Sequence, residues 1–199
     1  MIAEFFNIEK QQTLINGDRN DLAKMLGKNN FNKGVEIGTN YGEYATILCK
    51  ANKNLRLTCI DPYAPYLDGH LISQEQQDKI YAKAKITLEN LNAEILRIPS
   101  MVAVNQFIDN ELDFVYIDGN HFFDAVMMDL IRWSSKVKKG GIVALHDYHS
   151  FRGLRTVNSF SSCRGKDVMM AIDTYTYCHN IVPWYITNEE LPTAFWEKS

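Results

Sequence analysis

Glu36, Asp61, Asp118, His121, His146 and Asp147 are the residues of this chain whose types and spacing suit chemistry. Glu36 stands in Glu36-Ile37-Gly38-Thr39-Asn40-Tyr41-Gly42, where two glycines let the backbone approach a ligand closely before a helix begins. A turn built for a pyrophosphate would carry G-x-G-x-x-G here, seating the anion on the helix N-terminus. That pattern is absent, and an acid just ahead of the first glycine suits a ligand with a cationic amino group. Asp61 follows the next apolar run, where its carboxylate can accept hydrogen bonds from two ribose hydroxyls. The bland alternative is an ordinary strand-to-helix turn with a solvated Glu36, and Asp61 at its distance weighs against it.

Asp118 and Asp147 each close an apolar run and can share one divalent cation, with water and substrate oxygens completing an oxygen-rich shell. A cation there lowers the pKa of a substrate hydroxyl and fixes its oxygen for reaction. Magnesium is the natural candidate. Without a metal, the same two carboxylates serve as cofactor contact and loop cap, and the residues leave both readings open. His121 is the first choice for general base, because an imidazole takes a hydroxyl proton near neutral pH. His146 fits either a third metal ligand or a second acid–base group; as a neutral ligand it would hold magnesium more weakly than a carboxylate.

The elements that must position these residues alternate along the chain. Asp18 caps a helix with Leu22, Met25 and Leu26 on one face, within a helical extension over 1–30. Strands are predicted near 35–38, 55–60, 94–98, 113–117 and 142–145, with a final hairpin over 184–187 and 193–196. Between them lie helices marked by Tyr44, Ala45, Leu48 and Cys49; by a Ser73-x-x-Gln76 capping box with Ile80, Ala84, Thr87, Leu88 and Leu91; and by a cap at Ser100. Val126, Leu130, Trp133 and Val137 stripe the next helix, which Gly140-Gly141 breaks, and Val168, Ala171, Ile172 and Tyr175 stripe the last. Strands alternating with helices predict an α/β, Rossmann-like, doubly wound sheet, mostly parallel, with an antiparallel strand from the C-terminal hairpin. In such sheets ligands bind beyond the carboxyl ends of the strands. Glu36, Gly38, Asp61, Ser100, Asp118, His146 and Asp147 all fall at those ends.

Bulk properties narrow the partners. With 199 residues, 46% of them apolar, one compact domain with a full core is expected over 1–199. The net charge of −3 and the lack of a Lys/Arg cluster speak against a nucleic-acid partner. Apolar runs are too short for a membrane span, and no basic-then-apolar leader opens the chain. The four cysteines follow no C-x-x-C spacing, so reduced thiols in a cytoplasmic protein are expected. Two loops, 63–70 and 148–165, carry aromatics and, in the second, Arg152 and Arg155; they read as lids over a small-molecule site. Met127-Met128 and Met169-Met170 read as core, and Cys178-His179 carries no functional claim.

Four blocks taken in order resemble the class I S-adenosylmethionine-dependent methyltransferases over residues 33–197, and within them the branch of macrocin and other antibiotic-sugar O-methyltransferases. They are Val35-Glu36-Ile37-Gly38-Thr39-Asn40-Tyr41-Gly42, Cys59-Ile60-Asp61-Pro62-Tyr63, Asp113-Phe114-Val115-Tyr116-Ile117-Asp118-Gly119-Asn120-His121 and Gly140-Gly141-Ile142-Val143-Ala144-Leu145-His146-Asp147-Tyr148. The resemblance implies that Gly38, Thr39, Asn40, Tyr41 and Gly42 face the methionine part of the cofactor. Asp61, with Pro62 and Tyr63, would hold the ribose, Ser100 and Met101 would lie near the adenine, and Asp118 would border the cofactor. It also implies metal carboxylates at the ends that Asp118 and Asp147 occupy, and a Lys or His base at the position of His121. One departure stands out: relatives show two adjacent acids where this chain has His146-Asp147.

The reading is therefore direct methyl transfer from S-adenosylmethionine to a hydroxyl of a small molecule, with His121 as base and a divalent cation left open. Alternatives are a metal-independent N- or C-methyltransferase and a cofactor-binding module without catalysis. Base-modifying N-methyltransferases are disfavoured, because Asp118-Gly119-Asn120-His121 does not resemble their D/N-P-P-Y motif. A homo-oligomer is left open.

Overall fold

Every residue of strand β4 (Leu112–Ile117) is buried, as expected of a strand covered on both faces. Its side chains alternate: Phe114 and Tyr116 enter one apolar cluster, Val115 and Ile117 the other. The computed structural model describes residues 1–8, 13–65, 73–148 and 164–199. Most of the two expected lid loops, including Phe151, Arg152 and Arg155, lies outside the described residues.

The strands are β1 (Lys33–Ile37), β2 (Arg56–Ile60), β3 (Ala93–Leu96), β4, β5 (Val137–Leu145), β6 (Tyr185–Ile186) and β7 (Ala194–Glu197). They form one seven-stranded sheet in the order β3-β2-β1-β4-β5-β7-β6. β1 to β5 pair in parallel, and β7 runs antiparallel to both β5 and β6. This is the expected doubly wound sheet with its antiparallel hairpin strand. Strand order reverses between β1 and β4, the crevice where such sheets bind ligands.

Helices α2 (Arg19–Lys28) and α3 (Glu43–Ala51) cover one face, and α5 (Ser100–Ala103), α6 (Phe123–Ser134) and α7 (Arg164–Cys178) the other. A short α1 (Ile2–Phe5) precedes them, and α4 (Gln74–Leu88) links β2 to β3. The chain's own signals set the helix starts. Asp18 accepts from the backbone N–H of Asn20 and Asp21, while Asp21 accepts from the N–H of Asp18 at 3.2 Å. Ser73 and Gln76 close the equivalent box on α4. Leu22, Met25 and Leu26 join Tyr44 and Leu48 in one cluster, so α2 is part of the common core.

Four local expectations are corrected. Val137 belongs to β5, not to the preceding helix, which ends at Ser134. Gly140-Gly141 therefore does not break a helix. It lies in a bulge where Asp113 of β4 stands opposite residues 138–141 of β5, and the positive φ of Gly140 (+76°) lets the strand bend there. Ser100 is the first residue of α5 rather than its cap, since Pro99 takes that place without a side-chain hydrogen bond. Leu91 falls beyond α4, in the turn before β3.

Candidate active site

Backbone hydrogen bonds continue beyond the strand ends and draw the suspected residues into one row. Gly38 N–H donates to the Ile60 carbonyl (2.8 Å), Asp118 N–H to Ile37 (2.8 Å), His146 N–H to Ile117 (2.9 Å) and Asp61 N–H to Leu96 (3.2 Å). At Gly38 the row is tight. Its φ is +85°, and a Cβ there would stand 1.8 Å from the Asp118 carbonyl oxygen, so only glycine lets the β1 loop lie against the end of β4.

The loop over 38–42 is held from the next strand. Asp61 accepts from the N–H of Asn40 (2.9 Å) and of Tyr63 (2.8 Å), and the Tyr63 hydroxyl donates back to the Asn40 carbonyl (3.0 Å). Asn40 and Tyr63 both have positive φ (48° and 45°), strain that this bracing sustains. Burial raises the Asp61 pKa, and the two N–H groups pull it back. Each carboxylate oxygen keeps acceptor capacity after these bonds, enough for a vicinal diol.

Behind the loop sits Glu36, only 2% exposed, with no hydrogen-bond partner for Oε2; the neighbouring Thr39 hydroxyl is buried and unpartnered too. Burial, reinforced by the charge of Asp118, pushes the Glu36 carboxyl up to about 8. A buried acid and an idle hydroxyl beneath a glycine turn fit a cationic ligand, whose charge would favour the ionised carboxyl. Gly42 is buried at the start of α3, Tyr41 is exposed, and Pro62, Ser100 and Met101 are half-buried.

Past the ends of β4 and β5 lies a cluster of four titratable groups. His121 Nε2 lies 3.1 Å from Asp147 Oδ2 and 3.4 Å from Asp118 Oδ1. His146 Nδ1 lies 3.2 Å from Asp147 Oδ1 and 3.5 Å from Asp118 Oδ2, without hydrogen-bond alignment to either. Burial would raise Asp118, but both imidazoles outweigh it and hold its carboxyl well below the usual range. Burial would lower the histidines, but the carboxylates prevail: His121 is raised, and His146 is pushed up to about 9.

Asp118, His121 and Asp147 offer ligand atoms that all lie within 4.8 Å of one another. Two carboxylates and an imidazole fit a divalent cation. In the absence of one, protons on the imidazoles offset the same negative charge. His146, expected beside Asp118 and Asp147 as a third ligand, is not in this set but keeps Nδ1 within 3.5 Å of both carboxylates. Nε2 of His146 stands 3.1 Å from Nη1 of Arg19, a residue with no signal in the sequence. Arg19 is held in turn by Glu189, which accepts from the Arg19 N–H (2.9 Å) and lies 3.8 Å from Nε.

Residues 35–148, from β1 to just past β5, match the family described as methyltransferase domain. The chain belongs to the class I methyltransferases. This family is S-adenosylmethionine-dependent. The chain is 27% identical over 122 residues to uncharacterized protein R132 of Acanthamoeba polyphaga mimivirus, covering 59% of this chain and 52% of that one. The chain thus spans about half the length of that relative. A Staphylococcus aureus structure assigned as a caffeoyl-CoA O-methyltransferase matches with a TM-score of 0.67 and 17% identity, over 100% of this chain and 89% of that one. An O-methyltransferase from Bacillus cereus in complex with SAH matches with a TM-score of 0.65 and 12% identity, over 90% and 80%. At such identities these structures show the fold. These matches do not place the chain in the macrocin branch.

A cavity of about 630 Å³ shares no residue with this cluster; it is lined by Ile2, Tyr175, His179 and Trp196 among others. Among the described residues, no helix is long and apolar enough to cross a membrane.

Proposed function

We propose that this methyltransferase moves the methyl group of S-adenosylmethionine onto a hydroxyl oxygen of a small molecule, releasing S-adenosylhomocysteine. The observation that supports this best is the Asp118–His121–Asp147 cluster, placed one strand from the Glu36 and Asp61 cofactor loop. Methyl transfer to oxygen needs two things: an electrophilic sulfonium held in line, and removal of the hydroxyl proton.

Glu36 and Asp61 supply the first. Asp61 takes the ribose diol through its remaining lone pairs, and Glu36 takes the amino end of the methionine part, at the ligand's cationic pole. The acceptor then enters over Asp118 and Asp147. Its O–H proton passes to His121 Nε2 when that nitrogen is unprotonated, while the oxygen forms its bond to the methyl carbon and the carbon–sulfur bond breaks. His146 stays beneath, its ring steered by Arg19 toward the two carboxylates. A divalent cation on Asp118, His121 and Asp147 would supply instead a lowered hydroxyl pKa and a fixed oxygen. His121 would then act as ligand, not base.

Calorimetric titration of the purified protein with S-adenosylhomocysteine, with and without magnesium, tests both halves. Micromolar binding is expected, and binding that tightens with magnesium favours the metal-assisted form. Transfer of labelled methyl to a panel of hydroxylated small molecules should follow, with loss on chelation if the cation acts. No binding of S-adenosylhomocysteine under either condition overturns the proposal.

A further inference from the structure

Tyr63 is 1% exposed and keeps a left-handed backbone (φ 45°), which a bulky residue sustains only where its surroundings over-determine it. Its N–H is tied to Asp61 and its hydroxyl to the Asn40 carbonyl. Its own carbonyl is held from outside the cofactor loop. That oxygen accepts from Nη2 of Arg97 (3.2 Å) and from Nε2 of Gln74 (2.9 Å). Both donors also bond Oδ1 of Asp78, Gln74 at 2.9 Å, so two donors and two acceptors close a ring of hydrogen bonds.

The two donors come from different elements. Gln74 and Asp78 stand four residues apart on α4, on one face of the helix. Arg97 follows β3 in a tight turn, where the Ile98 N–H donates to the Leu96 carbonyl (2.9 Å). Its guanidinium lies over the Tyr81 ring, 4.8 Å from the centroid, and that ring packs against Tyr63 at 4.9 Å. The side chains of Arg97 and Asp78 are 35% and 53% exposed, and an ion pair so open to water adds little to the stability of a fold. What these groups restrict is the backbone of Tyr63. With its carbonyl released, Tyr63 is free to leave the left-handed region and take its hydroxyl away from Asn40, whose own φ is positive. The loop over 38–42 and Asp61 would then be ordered only by the ligand, which costs affinity.

We infer that Arg97 is a positioning residue: with Gln74 it clamps the Tyr63 carbonyl, and so holds Asp61 and the loop over 38–42 ready for the ligand. This rests on the reading of that loop as the S-adenosylmethionine site.

The test measures dissociation constants of S-adenosylhomocysteine by calorimetry, beside the melting temperature of each ligand-free variant. Arg97→Ala and Gln74→Ala should each weaken binding about threefold or more, and together about tenfold or more, as for loss of one and two hydrogen bonds. The ligand-free melting temperatures should stay within about 4 °C of the wild type. Gln74 carries no charge, so a matching loss there separates clamping from an effect of the Arg97 charge on Asp61. In a Tyr63→Phe background, which already lacks the tether to Asn40, Arg97→Ala should weaken binding by a smaller factor than in the wild type. Unchanged affinity in the double variant overturns the inference, and so does a loss from Arg97→Ala that is undiminished beside Tyr63→Phe. A loss that appears only with a matching fall in melting temperature assigns Arg97 to the fold and overturns it too. Should Tyr63→Phe not fold, the Arg97 and Gln74 variants decide. If the wild type itself does not bind S-adenosylhomocysteine, the cofactor reading fails and takes this inference with it; wild-type binding with insensitive variants sinks the inference alone.

Discussion

Arg19 and His146, separated by 127 positions, meet with Nη1 and Nε2 3.1 Å apart. A guanidinium only donates, so this contact is a hydrogen bond when the His146 ring is neutral, with Nε2 accepting and the Nδ1 edge turned to Asp118 and Asp147. Helix α2 thereby reaches the charged cluster past the ends of β4 and β5. Removing the guanidinium in Arg19→Ala frees the imidazole to rotate. Methyl transfer is expected to fall about tenfold or more, in keeping with loss of a charged hydrogen bond of about 1.5–3 kcal/mol. Binding of S-adenosylhomocysteine should change little, because Glu36 and Asp61 are untouched. Steady-state kinetics beside calorimetry separate the two effects.

Glu36 combines a cost to the fold with a use in binding. Its folded pKa of about 8 lies above the ordinary glutamate value of 4.5, so the folded state without ligand holds the proton more tightly than the unfolded one. The stability penalty is absent below about 4.5, grows as pH rises and is complete above about 8. Glu36→Gln should therefore raise the melting temperature of the ligand-free protein at pH 8 and leave it nearly unchanged at pH 4. The same substitution should weaken S-adenosylhomocysteine about tenfold or more, as expected when a charged hydrogen bond is lost. A variant that is neither more stable at pH 8 nor weaker in binding would contradict both roles.

His146 contributes with the opposite sign. Its folded pKa of about 9 exceeds the reference value of 6.5, so its ion pairing with Asp118 and Asp147 stabilises the fold fully below about 6.5 and is lost as pH rises through about 9. Thermal unfolding in the presence of chelator should show this decline. His146→Asn should flatten the curve across that window, whereas a parallel decline in the variant would assign the slope to other groups.

Gly38→Ala should be among the most damaging small substitutions. The new methyl group would strike the Asp118 carbonyl, and an alanine at φ +85° is strained besides. A loss of at least about 1–3 kcal/mol in unfolding free energy is expected. Because the β1 loop and the end of β4 must part, S-adenosylhomocysteine binding should disappear even where the variant still folds. Denaturant unfolding and calorimetry on the same sample check this.

Much of the architecture could be read from local order in the chain. The caps at Asp18 and Ser73 act within three residues, and the stripes of α3 and α6 within a few turns, so composition and period suffice for them. The strand ends were legible for the same reason: apolar runs stop at Asp61, Asp118 and His146, and a parallel sheet puts those stops on one edge. Val137 was misplaced because one apolar residue fits the end of a helix stripe as well as the start of a strand. Its burial opposite Leu112 decides between them.

The amino-acid sequence by itself thus determined the fold class, the glycine turn with its acid, and the identity of the charged groups at the strand ends. Tertiary structure alone decided which of these groups face one another. That His121, from the turn after β4, comes within 3.4 Å of both Asp118 and Asp147 depends on how the ends of β4 and β5 pack. The orientation of His146 depends on Arg19, brought in by α2 and held by Glu189 from the loop before β7. Asp129 shows the same limit: an acid on a helix reads as solvated face until packing against α5 buries it. Periodicity and capping act over a few residues, whereas these contacts join segments far apart in the chain. Only the packed core brings such segments within hydrogen-bonding reach.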